Sequence, residues 1–169
     1  MTIREFLSTQ LEREVARSRK ALEQMPEGKS DWKPHDKSMP FGYLAELVSI
    51  MPSWVAFQVN QDSIDLAPPD GSGIKREKKT TRADYLKALD EAAASARQAL
   101  SGTNDEHLAT RWQLKVRGNV VQEGRRDEMI QDTFNHLAHH RGQMTVYLRL
   151  MGSKVPAIFG PSADDTTFA

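Results

Sequence analysis

The residues of this chain best spaced to do chemistry together are His136 and His140, in the stretch "FNHLAHHRGQMTVYLRLMG" at 134–152. In a helix, side chains at i and i+4 leave one face about 40° apart, so two imidazoles can reach one metal ion. This is the spacing of the H-E-x-x-H zinc signature. Leu137, however, stands where that signature places its general-base glutamate, which disfavours a metalloprotease. His139 leaves the helix about 60° from His136. It falls on a row with Asn135, Gly142 and Val146 and is expected at the surface or a subunit interface. Asp132, one turn before His136, either orients its ring or, as is commoner, stands as a solvated carboxylate. Arg141 and Gln143 are packing partners or supports for the imidazoles, and Tyr147 shares the face of His140.

A catalytic metal needs a further protein ligand and an open position. The candidate is Glu46, a carboxylate inside the apolar segment "YLAELVSIMPSW" at 43–54. Such a carboxylate lies on a polar edge or is buried with a partner, because an isolated buried charge is costly. Facing the histidine pair, it would make a two-His-one-carboxylate set suited to Zn, Fe, Mn or Ni, among which sequence does not choose. The chain has no cysteine. Thiolate ligands, disulfides and a cysteine nucleophile are excluded, and any thiol in the chemistry must arrive with a substrate or cosubstrate.

Four helical segments must position these groups. The first starts at Thr2, with Glu5 completing a capping box, and carries Ile3, Leu7, Leu11, Val15, Leu22 and Met25 at helical spacing. The second is expected from about Ser38, with Pro40 in its first turn and a kink at Pro52. The third runs from Thr81 and Asp84 to Gly102, and its "EAAASA" implies close approach to a neighbour. The fourth spans about Arg126 to Met151. Between the last two, Trp112, Leu114 and Val116 alternate with polar residues before Gly118-Asn119, which predicts a small β-hairpin. The segment "DLAPPDGSGIKREKK" reads as a polar loop, its Lys75–Lys79 run as solvated, and His35 and His107 as solvated loop residues. Trp32, Trp54 and Trp112 are expected to pack in the core or an interface.

The fold class expected is all-α: an up-down four-helix bundle with a small hairpin, a single domain over 1–169 with an irregular tail from about 153. Lys plus Arg equals Asp plus Glu at 23 each, which speaks against a nucleic-acid partner. No apolar run is long enough for a membrane span. The N-terminal residues lack the pattern of a signal peptide, so a cytoplasmic protein is expected.

"PFGYLAELVSIMPSW" followed by "FNHLAHHRGQMTVYLRLMGSKVPAIFGPSADD" resembles the DinB/YfiT-like (damage-inducible DinB) family of metal-binding four-helix bundles, over nearly the whole chain in helix order. The resemblance implies three histidine ligands, two of them His136 and His140. The helix-two ligand position is occupied here by Glu46, a departure that keeps, weakens or retunes the site. It also implies a homodimer, a divalent metal and a small-molecule substrate. Relatives include transferases and isomerases that use low-molecular-weight thiols. A metal-dependent enzyme, as thiol-dependent transferase or hydrolase, is thus expected. The alternatives are a non-catalytic metal-binding or stress-associated bundle, or a ligand-binding bundle that has lost its metal.

Overall fold

The structure, a computed structural model, describes residues 1–72 and 79–168. Among them six helices and a three-stranded sheet follow the order α1 (Ile3–Glu23), α2 (Phe41–Ile50), α3 (Pro52–Asn60), β1 (Ser63–Asp65), α4 (Arg82–Ser101), α5 (Asp105–Leu108), β2 (Arg111–Val116), β3 (Asn119–Arg125) and α6 (Arg126–Leu150). The protein is therefore mostly helical.

Helix starts follow the capping chemistry of the sequence. Thr2 Oγ1 accepts from the Glu5 amide, and Glu5 Oε2 accepts from the Thr2 amide. The next two free amides of α1, Ile3 and Arg4, donate to Asp105 of α5 at 2.9 Å each. Thr81 and Asp84 form the same reciprocal box on α4. The second expected helix is two. Pro40 is extended, with ψ 147°, and caps α2, so the helix starts at Phe41 instead of near Ser38. The residue before a proline is steered away from helical angles, which fixes this later start. Pro52 lacks an N–H to continue the ladder, so the kink becomes the boundary between α2 and α3.

The core lies where α4 and α6 each pack against α1, α2 and α3. It is built from Leu7, Leu11, Leu22, Phe41, Leu44, Val48, Met51, Leu89, Ile130, Leu137 and Leu148, all nearly inaccessible. Ala92, Ala93, Ala96 and Ala99 are buried along α4, the close approach that the alanine run implied. Gly42 is tighter still. Its amide donates to Ser30 O at 2.8 Å, and an added Cβ would sit 2.8 Å from Ser30 Cβ and 3.1 Å from Ser30 O. Gly42→Ala is expected to lower stability by about 1–3 kcal/mol, because forced overpacking exceeds the helix-propensity gain of about 1 kcal/mol. Urea unfolding measures this, and an unchanged midpoint would mean that the loop at Ser30 moves aside freely.

The sheet differs from the hairpin alone. β2 and β3 pair antiparallel, and β1 adds to β2 in parallel, with Ile64 opposite Leu114. The three residues of β1, just before and at the start of the polar segment, carry too little pattern to stand out. The turn is Arg117-Gly118, one residue earlier than Gly118-Asn119, and Asn119 already pairs with Val116. Both turn residues have positive φ, 52° and 78°, as a two-residue hairpin turn requires. The Asp65 carboxylate accepts from both their amides, which holds the non-glycine Arg117 in this conformation.

The tail has no helix or strand but is docked. Ala157 is fully buried, the Arg17 guanidinium lies 4.1 Å from the Phe159 ring centre, and Arg149 pairs with Asp164. Hydrogen bonds from the Thr167 hydroxyl and from the Ala157 and Thr167 amides hold the Asp165 carboxyl down at about 2.

Candidate metal and ligand site

His136 and His140 project from one face of α6 with ring centres 4.5 Å apart. The helix sets this distance, as the i, i+4 spacing requires. The two rings differ in surroundings. His140 is buried, and its Nδ1 lies 2.9 Å from Gln143 Oε1. An amide oxygen accepts only, so Nδ1 carries the proton and the lone pair is left on Nε2. Gln143 thus fixes the tautomer and orientation of His140, as supports behind metal ligands do.

His136 is exposed at one edge, and its ring meets Trp54 of α3 at 6.0 Å in an edge-on arrangement. Desolvation, then the charges of His140 and His139, hold its pKa below the ordinary imidazole value. Both effects favour the neutral ring, the form that ligates a cation.

The other expected partners are placed less closely. His139 is exposed, with its ring 5.3 Å from that of His140, and Asn135, Gly142 and Val146 share that exposed row. Asp132 is exposed beside His136, and among the described residues the His136 ring makes no hydrogen bond to it. Arg141 turns away into the core. Tyr147 is buried, donates to Met39 O and packs edge-on to Trp32.

Glu46 is half-buried on α2. Its Oε1 lies 3.4 Å from Lys79 Nζ, and its charge helps raise the pKa of Tyr85, a shift due first to burial. Among the described residues no three His, Asp or Glu side chains converge as a metal-binding group. The structure thus brings His136 and His140 together and sets Glu46 on Lys79. The donor set fits a divalent cation with two imidazoles, leaving its other positions to ligands from outside the pair. Lys75 to Lys78 lie outside the described residues, while Lys79 is largely covered. His107 is not a solvated loop residue either: it belongs to α5, and its Nε2 lies 2.8 Å from Val59 O.

Beside His136 opens an apolar pocket of about 200 Å³. Trp54, Phe57 and Gln58 come from α3, Trp112 and Leu114 from β2, and Met129, Asp132, Thr133 and His136 from α6. Ile64 and Leu66, at and just after β1, close it. Two tryptophans expected to pack in a core or interface, Trp54 and Trp112, are therefore also pocket walls. The alternation of Trp112 and Leu114 marked one face of a strand, but nothing in it disclosed that the face covers a cavity.

Comparison with known proteins places the chain by family and fold. The model of the DinB family matches residues 72–167. The uncharacterized protein YrdA of Bacillus subtilis is 37% identical over 62 residues, a match covering 34% of this chain and only 37% of that relative's length. The crystal structure of a DinB-like protein, YjoA, from Bacillus subtilis superposes with a TM-score of 0.64 at 15% identity, covering 88% of this chain and 93% of that one. A DinB-like protein from Bacillus cereus gives 0.66 at 20% identity, covering 90% and 95%. At these identities the structures establish likeness of fold.

Proposed function

The chain belongs to the DinB family, and from that premise we propose that it is a metal-dependent enzyme in which His136 and His140 anchor a divalent cation at the edge of an apolar substrate pocket. The observation that carries this reading is the pair itself: two imidazoles 4.5 Å apart, one fixed by Gln143, the other partly desolvated beside Trp54. In this reading α1, α2 with α3, α4 and α6 are the four limbs of an up-down bundle, and the pair sits on the last of them. Zn, Ni, Fe and Mn all accept such donors. Two imidazoles hold a cation less tightly than a closed shell, and the positions they leave open are those that chemistry needs. A metal there supplies a Lewis acid that keeps an external thiol as thiolate or lowers the pKa of water. The attacking thiol of a transferase would come from outside, because the chain has no cysteine.

The test is elemental analysis of protein purified without added metal, alongside Glu46→Ala. About one equivalent of metal is expected in both, because Glu46 is paired with Lys79. Loss of metal in Glu46→Ala alone would instead make Glu46 the third ligand, reached by leaving Lys79. Absence of metal from wild type, even after incubation with Zn, Ni, Fe or Mn, would leave the reading in which the bundle has lost its metal and binds a ligand only.

A further inference from the structure

We infer that Trp54 is the positioning residue of His136: its indole, set edge-on against the imidazole, holds that ring turned toward His140. This rests on the reading of the two imidazoles as anchors of a cation. The placement of the ring, however, is a property of the metal-free protein, so the two claims fail separately.

The pitch of α6 fixes only where the two side chains begin. Beyond Cβ an imidazole still turns about its outer torsion, which joins sp³ to sp² carbon and has broad wells. A histidine that ligates a metal is therefore ordinarily held by a second contact behind the ring. His140 has one in Gln143 Oε1, at 2.9 Å. The His136 ring makes no hydrogen bond among the described residues, and Asp132, one turn earlier, supplies none. What His136 does meet is aromatic: the His140 ring at 4.5 Å and the Trp54 indole at 6.0 Å, with its plane at 68° to the imidazole. The His140 ring does not serve as the hold. Two imidazoles that share a cation turn lone pairs toward each other, and these repel in its absence. Trp54 remains, in the edge-on geometry that aromatic rings prefer.

A support must itself be fixed. Trp54 stands in the first turn of α3, which begins at Pro52. Its amide donates to Met51 O at 3.0 Å, and the Ser53 hydroxyl donates to Ile50 O at 2.7 Å, so both bonds tie this turn across the break to the end of α2. Met51 and Val55 are fully buried and pin the same turn to the core. The indole is left half-buried at the rim of the apolar pocket, which His136 also lines. The break at Pro52 therefore has a consequence for the site: it starts a second helix whose first turn carries the indole against α6.

The experiment follows the histidine rings of the full ¹³C-labelled chain after metal has been stripped with a chelator, with His136→Ala and His140→Ala assigning the two signals. Expected in wild type are cross-relaxation between the His136 ring protons and the Trp54 indole, and ¹³C relaxation that shows both rings ordered on the ps–ns timescale. Trp54→Ala should free the His136 ring and leave the His140 ring ordered, and Gln143→Ala should do the reverse. A general loosening of the packing would move both rings, so this selectivity separates positioning from mere structure. Trp54→Leu keeps an apolar side chain and should still free His136, whereas Trp54→Phe should restore its order. Zinc affinity of the stripped protein, read by chelator competition, should fall about 2- to 12-fold in Trp54→Ala, the worth of one aromatic contact, and return in Trp54→Phe. A His136 ring that stays ordered in Trp54→Ala, both rings loosening together, or unchanged zinc affinity would each overturn the inference. So would absence of the cross-relaxation with Trp54, a measurement made on wild type and independent of how well any variant folds. A wild type that takes up no metal would sink the metal reading alone, because the ring measurements need none.

Discussion

His140→Ala is expected to abolish metal retention while leaving the fold intact. Loss of a partner that merely supports a ligand costs about 10–100-fold in metal affinity. Removing one of two protein ligands must cost more, so the variant should carry no metal after gel filtration where wild type carries about one equivalent. His140 stands at the edge of the packed helices, and truncation leaves a void beside Gln143 that solvent can reach from the side of exposed His139. His136→Ala should behave alike, whereas Gln143→Ala should weaken binding within the smaller range, because it frees the tautomer without removing a donor. The pH dependence has a defined sign. Protons compete with the metal for the same lone pairs, so affinity falls as pH falls. The His136 pKa lies below the ordinary imidazole value, so its competition begins at lower pH than for a free histidine. Metal should therefore stay bound through pH 7 and be released on acidification below the usual imidazole range, read by titration with a chromophoric chelator. Retention of a full equivalent by His140→Ala would end the imidazole-pair reading.

How much of this was legible beforehand depends on how local the physics is. The pairing of His136 with His140 needs only the pitch of one helix, and periodicity over 126–151 already announced that helix. The caps at Thr2 and Thr81 are equally local, and both boxes form as the sequence spells them. What failed to show were relations between distant segments. Whether Glu46 meets the histidines depends on how α2 is turned against α6, and no spacing within α2 encodes that rotation. The fully buried Phe41, Leu44, Ala45 and Val48 set it, and Glu46 is left beside Lys79. The parallel strand at Ser63–Asp65 owes its existence to β2, fifty residues on, and its own three residues favour nothing in particular. The pocket depends on α3, the three strands and α6 meeting, so its walls read only as ordinary apolar positions.

The second large effect concerns the far side of α6. Arg141 is 1% exposed, and its Nη2 lies 2.7 Å from Glu14 Oε2 of α1, with Ser18 Oγ 3.2 Å from Nη1. Glu14 also holds Arg17 at 2.8 Å. Desolvation pushes the guanidinium pKa below its ordinary value despite the attraction of Glu14, so burial costs this pair much of what it gains. Two consequences follow with opposite signs. Glu14→Leu alone leaves the Arg141 guanidinium buried without its carboxylate and should destabilise by about 3–5 kcal/mol, whereas Arg141→Met alone leaves Glu14 paired with Arg17 and should cost less. At this chain length the larger loss is roughly 6–20 °C in Tm. Glu14→Leu with Arg141→Met removes both charges, fills the space with apolar side chains, and should return to within about 1–2 kcal/mol of wild type. Urea unfolding of the four proteins gives the coupling directly. If the double variant falls as far as the sum of the singles, the two residues act independently and the pair is not the unit described here. If it recovers, the ion pair contributes little net stability. Its remaining effect is then on how α6 is turned, and metal affinity measured in the recovered double variant reads that effect, because His140 is the adjacent residue.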